Sequence, residues 1–137
     1  MYQFSRAIYR ELQTDVIGGA RSPEARALLA TCEETFDRLA QDRHHFAKPE
    51  RWLFREVRVY FPMESQLRAY TVIASHVRLA IEYLDRMLAQ GLVPEGAVLR
   101  CHALTRAGNA CQRDPLPGRE YCPSLQHLEE DRSLTAA

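Results

Sequence analysis

One tract of this chain has residue types and spacing that can do chemistry together: residues 101–127, CHALTRAGNACQRDPLPGREYCPSLQH. It contains Cys101, Cys111 and Cys122, three of the four cysteines, together with His102 and His127. Thiolate sulfur and neutral imidazole nitrogen are the donors that a tetrahedral zinc ion takes. The tract is short of apolar side chains, so burial cannot offset a backbone-ordering cost of roughly 1–2 kcal/mol per residue. It therefore either stays disordered or is stapled, and its residue types predict Zn2+ as the staple. Nothing in them defines a reaction.

The ligand spacing is Cys101, nine residues, Cys111, ten residues, Cys122, four residues, His127. The paired C-x2-C knuckles of the commonest structural zinc sites are absent. Glycine and proline supply the turns instead. Gly108, three residues before Cys111, can adopt the positive φ that turns a sulfur back toward a shared centre. Pro117-Gly118 is a turn dipeptide between the second and third thiols. A disulfide, Cys101–Cys111 or Cys111–Cys122, with one thiol left over is the competing reading. Clustered cysteines in a reducing cytoplasm more often bind metal.

The pattern C-x-A-x-T-x-x-G-x-x-C, matched by Cys101, Ala103, Thr105, Gly108 and Cys111, resembles a short zinc-binding motif of small bacterial and phage proteins. That motif continues to a third cysteine followed, after two residues, by histidine. The opening MYQFSRAIYREL and the tail YCPS-x-x-HLEE further resemble small actinobacterial helical proteins with a C-terminal Cys3His zinc-binding tail. The resemblance covers the 27 residues of the C-terminal tract, 101–127, and, more loosely, the first dozen. It implies a bound zinc and a bacterial cytoplasmic setting, and it implies no activity. The chain departs from the motif at Leu125, where histidine is expected, because leucine cannot ligate a metal. His127 is then the expected fourth ligand, with His102 as the alternative and a weakened site as the third possibility. Four ligands close a site, which favours a structural ion over a catalytic one.

Helices must carry this tract. Phe4, Ile8, Leu12 and Val16 make one stripe of a helix over residues 3–16, ended by Gly18-Gly19. Ser22-Pro23-Glu24 is a helix start, with a hydroxyl cap, proline at the first position and a carboxylate at the positive end of the dipole. The helix that follows bears Ala25, Leu28, Leu29, Cys32, Phe36 and Leu39 and runs out near His44-His45. Cys32 lies on that apolar stripe and reads as a buried thiol. A short helix over residues 50–60 turns Leu53, Val57 and Tyr60 inward. Phe61-Pro62 then opens the longest helix, whose seam is Leu67, Tyr70, Ala74, Val77, Ile81, Leu84 and Leu88. His76 sits beside this seam. The expected fold is all-α: a four-helix bundle-like body over 1–92, a linker over 93–100, an irregular zinc-stabilised module over 101–132 and a disordered tail over 133–137.

Eighteen basic and eighteen acidic residues cancel, which argues against a protein whose main task is gripping a phosphate backbone. In the cysteine tract Arg100, Arg106, Arg113 and Arg119 face Asp114 and Glu120, so three thiolates on a divalent ion leave a nearly neutral knob. No apolar run spans a membrane, and the N-terminus lacks the pattern of a signal peptide. No phosphate loop, nucleophile elbow or paired carboxylate is present, so no enzyme is expected. One surface feature stands out: Arg51, Arg55 and Arg58 recur on one helix face beside Trp52, the mixture found at interface hot spots and nucleic-acid grooves.

The expected function is therefore a non-enzymatic, zinc-binding interaction or adapter protein of a bacterial cytoplasmic assembly. Its partner is another protein, and the heptad seam offers a homo-oligomer. A nucleic-acid-associated regulator and a thiol-redox sensor acting through the zinc-ligand cysteines are the alternatives.

Overall fold

In a computed structural model that describes residues 1–92, 100–116 and 119–128, the chain is helical and divides into two units, Met1–Glu95 and Gly96–Ala137. The first unit holds four α-helices: α1 (Tyr2–Leu12), α2 (Pro23–Gln41), α3 (Pro49–Val57) and α4 (Met63–Ala89). A 3-10 turn, Arg58–Tyr60, follows α3. Helix α1 packs on α2 and α4, and α3 packs on α2 and α4, so each helix has two neighbours around one core. No described helix is long and apolar enough to cross a membrane. The expected linker (93–100, apart from residue 100) and tail (133–137) lie outside the described residues.

Local chemistry sets where α2 begins. The Ser22 hydroxyl accepts from the Ala25 amide at 3.1 Å and donates to the Gly19 carbonyl at 2.7 Å, so one side chain caps the helix and ties down the turn before it. Gly18 and Gly19 both have positive φ. A Cβ on Gly18 would lie 2.8 Å from the Ser22 Cβ, which makes that glycine necessary for space as well as conformation.

Helix α1 ends at Leu12, four residues short of the expected end. Thr14 and Asp15 are poor helix formers, and the Ile17 amide instead donates to the Tyr60 carbonyl at 2.8 Å. Val16 is still buried, delivered by the turn. Likewise α2 stops at Gln41, where Asp42 takes over: its carbonyl accepts from the His45 amide and its carboxylate from the His44 amide. The His pair therefore sits in a turn beyond the helix. The short helix stops being α-helical at Val57, and Tyr60 is half-buried on the 3-10 turn.

The long helix differs from expectation in phase. Its buried residues are Ala69, Ile73, Val77, Ala80 and Leu84, while Leu67 is 77% exposed. Alanine at 69 and 80 lets neighbouring helices approach closely, a contribution that a search for large apolar residues overlooks. In α2, Thr35 is buried and spends its hydroxyl on the Thr31 carbonyl, while Leu29 is only half-buried. Long-range side-chain ties, among them an Arg68–Asp15 ion pair, close the body. His76 Nε2 lies 2.7 Å from Glu11 Oε1, and Arg43 clamps Asp85 with two bonds of 2.8 and 3.2 Å.

Candidate metal centre

Residues 101–113 of the second unit form an antiparallel ribbon in a single register. The Cys101 amide donates to the Arg113 carbonyl, Cys111 to Ala103 and Thr105 to Asn109, at 2.9, 2.9 and 2.7 Å. Leu104 and Ala110 form the one bridge between them. Gly108, at φ 79°, turns the tip, and the Thr105 hydroxyl accepts from the Asn109 amide at 3.2 Å. Side chains alternate faces along extended backbone, so Cys101, Ala103 and Cys111 share one face. This is the physical content of the C-x-A…C spacing. The small Ala103, opposite Cys111, leaves room for two sulfurs on that face.

A third segment brings the last thiol. The His102 amide donates to the Glu120 carbonyl at 2.9 Å, and Cys122 follows two residues later. Pro117-Gly118, expected to make the turn, lies outside the described residues. From Cys122 the chain coils into a turn closed by Leu125 N–H to the Cys122 carbonyl at 2.9 Å.

The three sulfurs lie within 4.8 Å of one another, and their residues are 1%, 5% and 0% exposed. A zinc–sulfur bond of about 2.3 Å with tetrahedral angles places sulfurs about 3.8 Å apart, so a contraction of at most about 1 Å brings all three onto one ion. All four cysteines are free thiols. The group therefore suits a metal ion, and the donor set is thiol throughout.

Backbone amides already point at this charge. The Cys122 amide donates to Cys101 Sγ at 3.2 Å, the Ala103 amide donates to the same sulfur, and the Ser124 and Leu125 amides donate to Cys122 Sγ. Burial is the largest influence on both thiols and raises both, although the module covering them is thin. At Cys101 it prevails, helped by the other two thiols, and the pKa is raised. At Cys122 it is outweighed by hydrogen bonds from Cys101, Ser124, Cys111 and Leu125, and the pKa is lowered. Cys122 is thus a thiol whose charged form its neighbours favour.

The histidines stand apart. His127 is exposed, and neither it nor His102 belongs to the group of three. His102 Nδ1 is 3.7 Å from Glu120 Oε2. Leu125, at the position where the motif has histidine, packs with Tyr121 against the cysteines. Cys32 is buried in the first unit's core, where desolvation and the Glu33 charge push its pKa up to about 12.

Sequence reasoning missed a groove in the helical body. Arg51, Trp52 and Arg55 line it, as do Arg38, Phe46 and Lys48, which come from other elements. Arg58, on the 3-10 turn, is exposed and lies outside that lining. No protein-family model matches the chain, and no curated protein or solved structure matches it either.

Proposed function

We propose that the chain is a non-catalytic interaction protein whose C-terminal module is held in shape by one zinc ion on Cys101, Cys111 and Cys122. The carrying observation is the convergence of three buried sulfurs in a unit with almost no other core. Among the described residues, Ala103 alone is buried there besides the cysteines, with Tyr121 and Leu125 partly buried against them. Such a unit needs a cross-link, and thiolates served by backbone amides favour a soft or borderline divalent ion. The free thiols fit a reducing, cytoplasmic compartment. The match to the C-x-A-x-T-x-x-G-x-x-C pattern supports the same metal.

Burial of the sulfurs leaves little surface on which a substrate could meet the ion, which supports a structural role. Support for partner binding comes from the first unit. Val59, Met63 and Leu67 are 65%, 82% and 77% exposed, and the last two are one turn apart on α4. Met63 and Leu67, neighbours on one face of α4, are the exposed apolar pair on which a contact surface would be built.

Native mass spectrometry of the full chain tests the reading. One zinc per chain, lost together with the module's chemical-shift dispersion on chelation, is the expected result. Metal-free protein with an ordered module overturns it. Leu67→Lys should abolish retention of any partner recovered with the native chain, and unchanged retention removes this face from the proposal.

A further inference from the structure

We propose that the groove at the start of α3 binds an unpaired nucleotide, with phosphate on its cations and the base against its aromatic rings. This site belongs to the helical body and is independent of the zinc reading. Its volume is about 560 Å³, within the range of small-ligand pockets. Four cationic side chains line it: Arg38 from the last turn of α2, Lys48 at the N-cap of α3, and Arg51 and Arg55 one turn apart on α3. No carboxylate lines it.

The charges are only partly spent. Arg38 bonds Glu34 at 2.5 Å, and Arg55 lies 3.4 Å from Glu56. Lys48 and Arg51 have no ion pair among the described residues. Lys48 contributes no side-chain cap, and Glu50 in the first turn of α3 already meets the positive end of that helix, so the cations supply the attraction here. A neutral chain can still hold a local potential of this kind, because attraction depends on where charges cluster.

The rings make the ligand more specific than an anion. Phe46 and Trp52 pack with centroids 4.5 Å apart, and both are half-buried against the hydrophobic core. His45 adds an edge contact to Phe46 at 4.6 Å. Rings anchored in this way offer a rigid stacking surface, and stacking one base on such a surface contributes about 1–3 kcal/mol. An acidic peptide would use the cations but has no need of the paired rings. A base carrying phosphate uses both, whether as a free mononucleotide or within a single strand.

Trp52 is the only tryptophan, so its fluorescence reports on this groove alone. The full chain as purified is titrated at low salt with AMP, decauridylate, inorganic phosphate and polyglutamate. Quenching by AMP or decauridylate is expected, at least tenfold weaker in Arg51→Glu and within twofold of native in Arg78→Glu, an exposed arginine elsewhere on α4. Decauridylate binding at least tenfold tighter than AMP identifies a single strand as the source, and equal affinity identifies the free nucleotide. The proposal is overturned if neither nucleotide quenches, if phosphate or polyglutamate quenches as strongly, or if Arg51→Glu changes nothing.

Discussion

The amide of Cys122 donates to the sulfur of Cys101 at 3.2 Å, joining residues 21 apart in the chain. Without a charge on that sulfur the bond is weak, and with a thiolate it is a charge-assisted bond. Metal binding, which removes the thiol protons, therefore strengthens the contact that closes the module. An ion held on these sulfurs would link fold and metal through the same atoms.

Cys101→Ala removes a candidate ligand and this acceptor together. The expected outcome is loss of stoichiometric zinc and collapse of chemical-shift dispersion for residues 100–128, with the far-ultraviolet helical signal of α1 to α4 kept. Structural zinc in small modules contributes about 10–16 kcal/mol of apparent binding free energy, far more than so small a core can replace. Acid should act in the same direction, since protons compete with the ion for thiolates. A mutant with native spectra and native metal content would refute the coupling.

Leu125 offers a test of the fourth position. Its side chain packs against the cysteines, so an imidazole placed there faces the sulfurs. Leu125→His should tighten zinc binding at least tenfold in competition with a chromophoric chelator, and His127→Ala should change it less than threefold. Metal loss in His127→Ala would instead make His127 the ligand and require the last turn to rearrange.

The phase of α4 is testable by a pair of substitutions. Ala69 is fully buried and Leu67 is 77% exposed, so the more apolar residue is the one facing water. Ala69→Leu overfills a close helix contact and should cost about 1–3 kcal/mol. Leu67→Lys should stay within about 0.5 kcal/mol. Denaturant unfolding of both variants reads the difference, and the opposite ranking would restore the seam through Leu67.

These residues also show what a sequence displays and what it conceals. Ser22-Pro23-Glu24 and Phe61-Pro62 act through neighbours in the chain, so the starts of α2 and α4 are legible. The end of α1 depends on Ile17 bonding Tyr60, a partner 43 residues away, and is not. Ala69 and Ala80 are silent in a pattern of large apolar side chains, which shifts the apparent seam of α4 toward Leu67. The three cysteines are legible because few residue types bind soft metals. The fourth ligand depends on which side of a turn faces the sulfurs, a tertiary fact. Arg51 and Arg55 share a helical period, whereas Arg38 and Phe46 join them only through folding.

Cys32 gives the body its own pH signature. Its thiol is buried among apolar side chains, and burial, followed by the Glu33 charge, raises its pKa from 9.0 to about 12. Below pH 9 the thiol is protonated in both folded and unfolded chains, so its full contribution to stability is present. Between pH 9 and about 12 the unfolded chain loses this proton while the folded one keeps it. Stability should then fall by up to about 1.4 kcal/mol per pH unit. Cys32→Ala leaves a small cavity but no ionisable group, so its unfolding free energy should fall less steeply across this window. Urea titrations of native and variant chains from pH 8 to about 11 measure the difference, and parallel slopes would show that Cys32 ionises in the folded protein as readily as in the unfolded one.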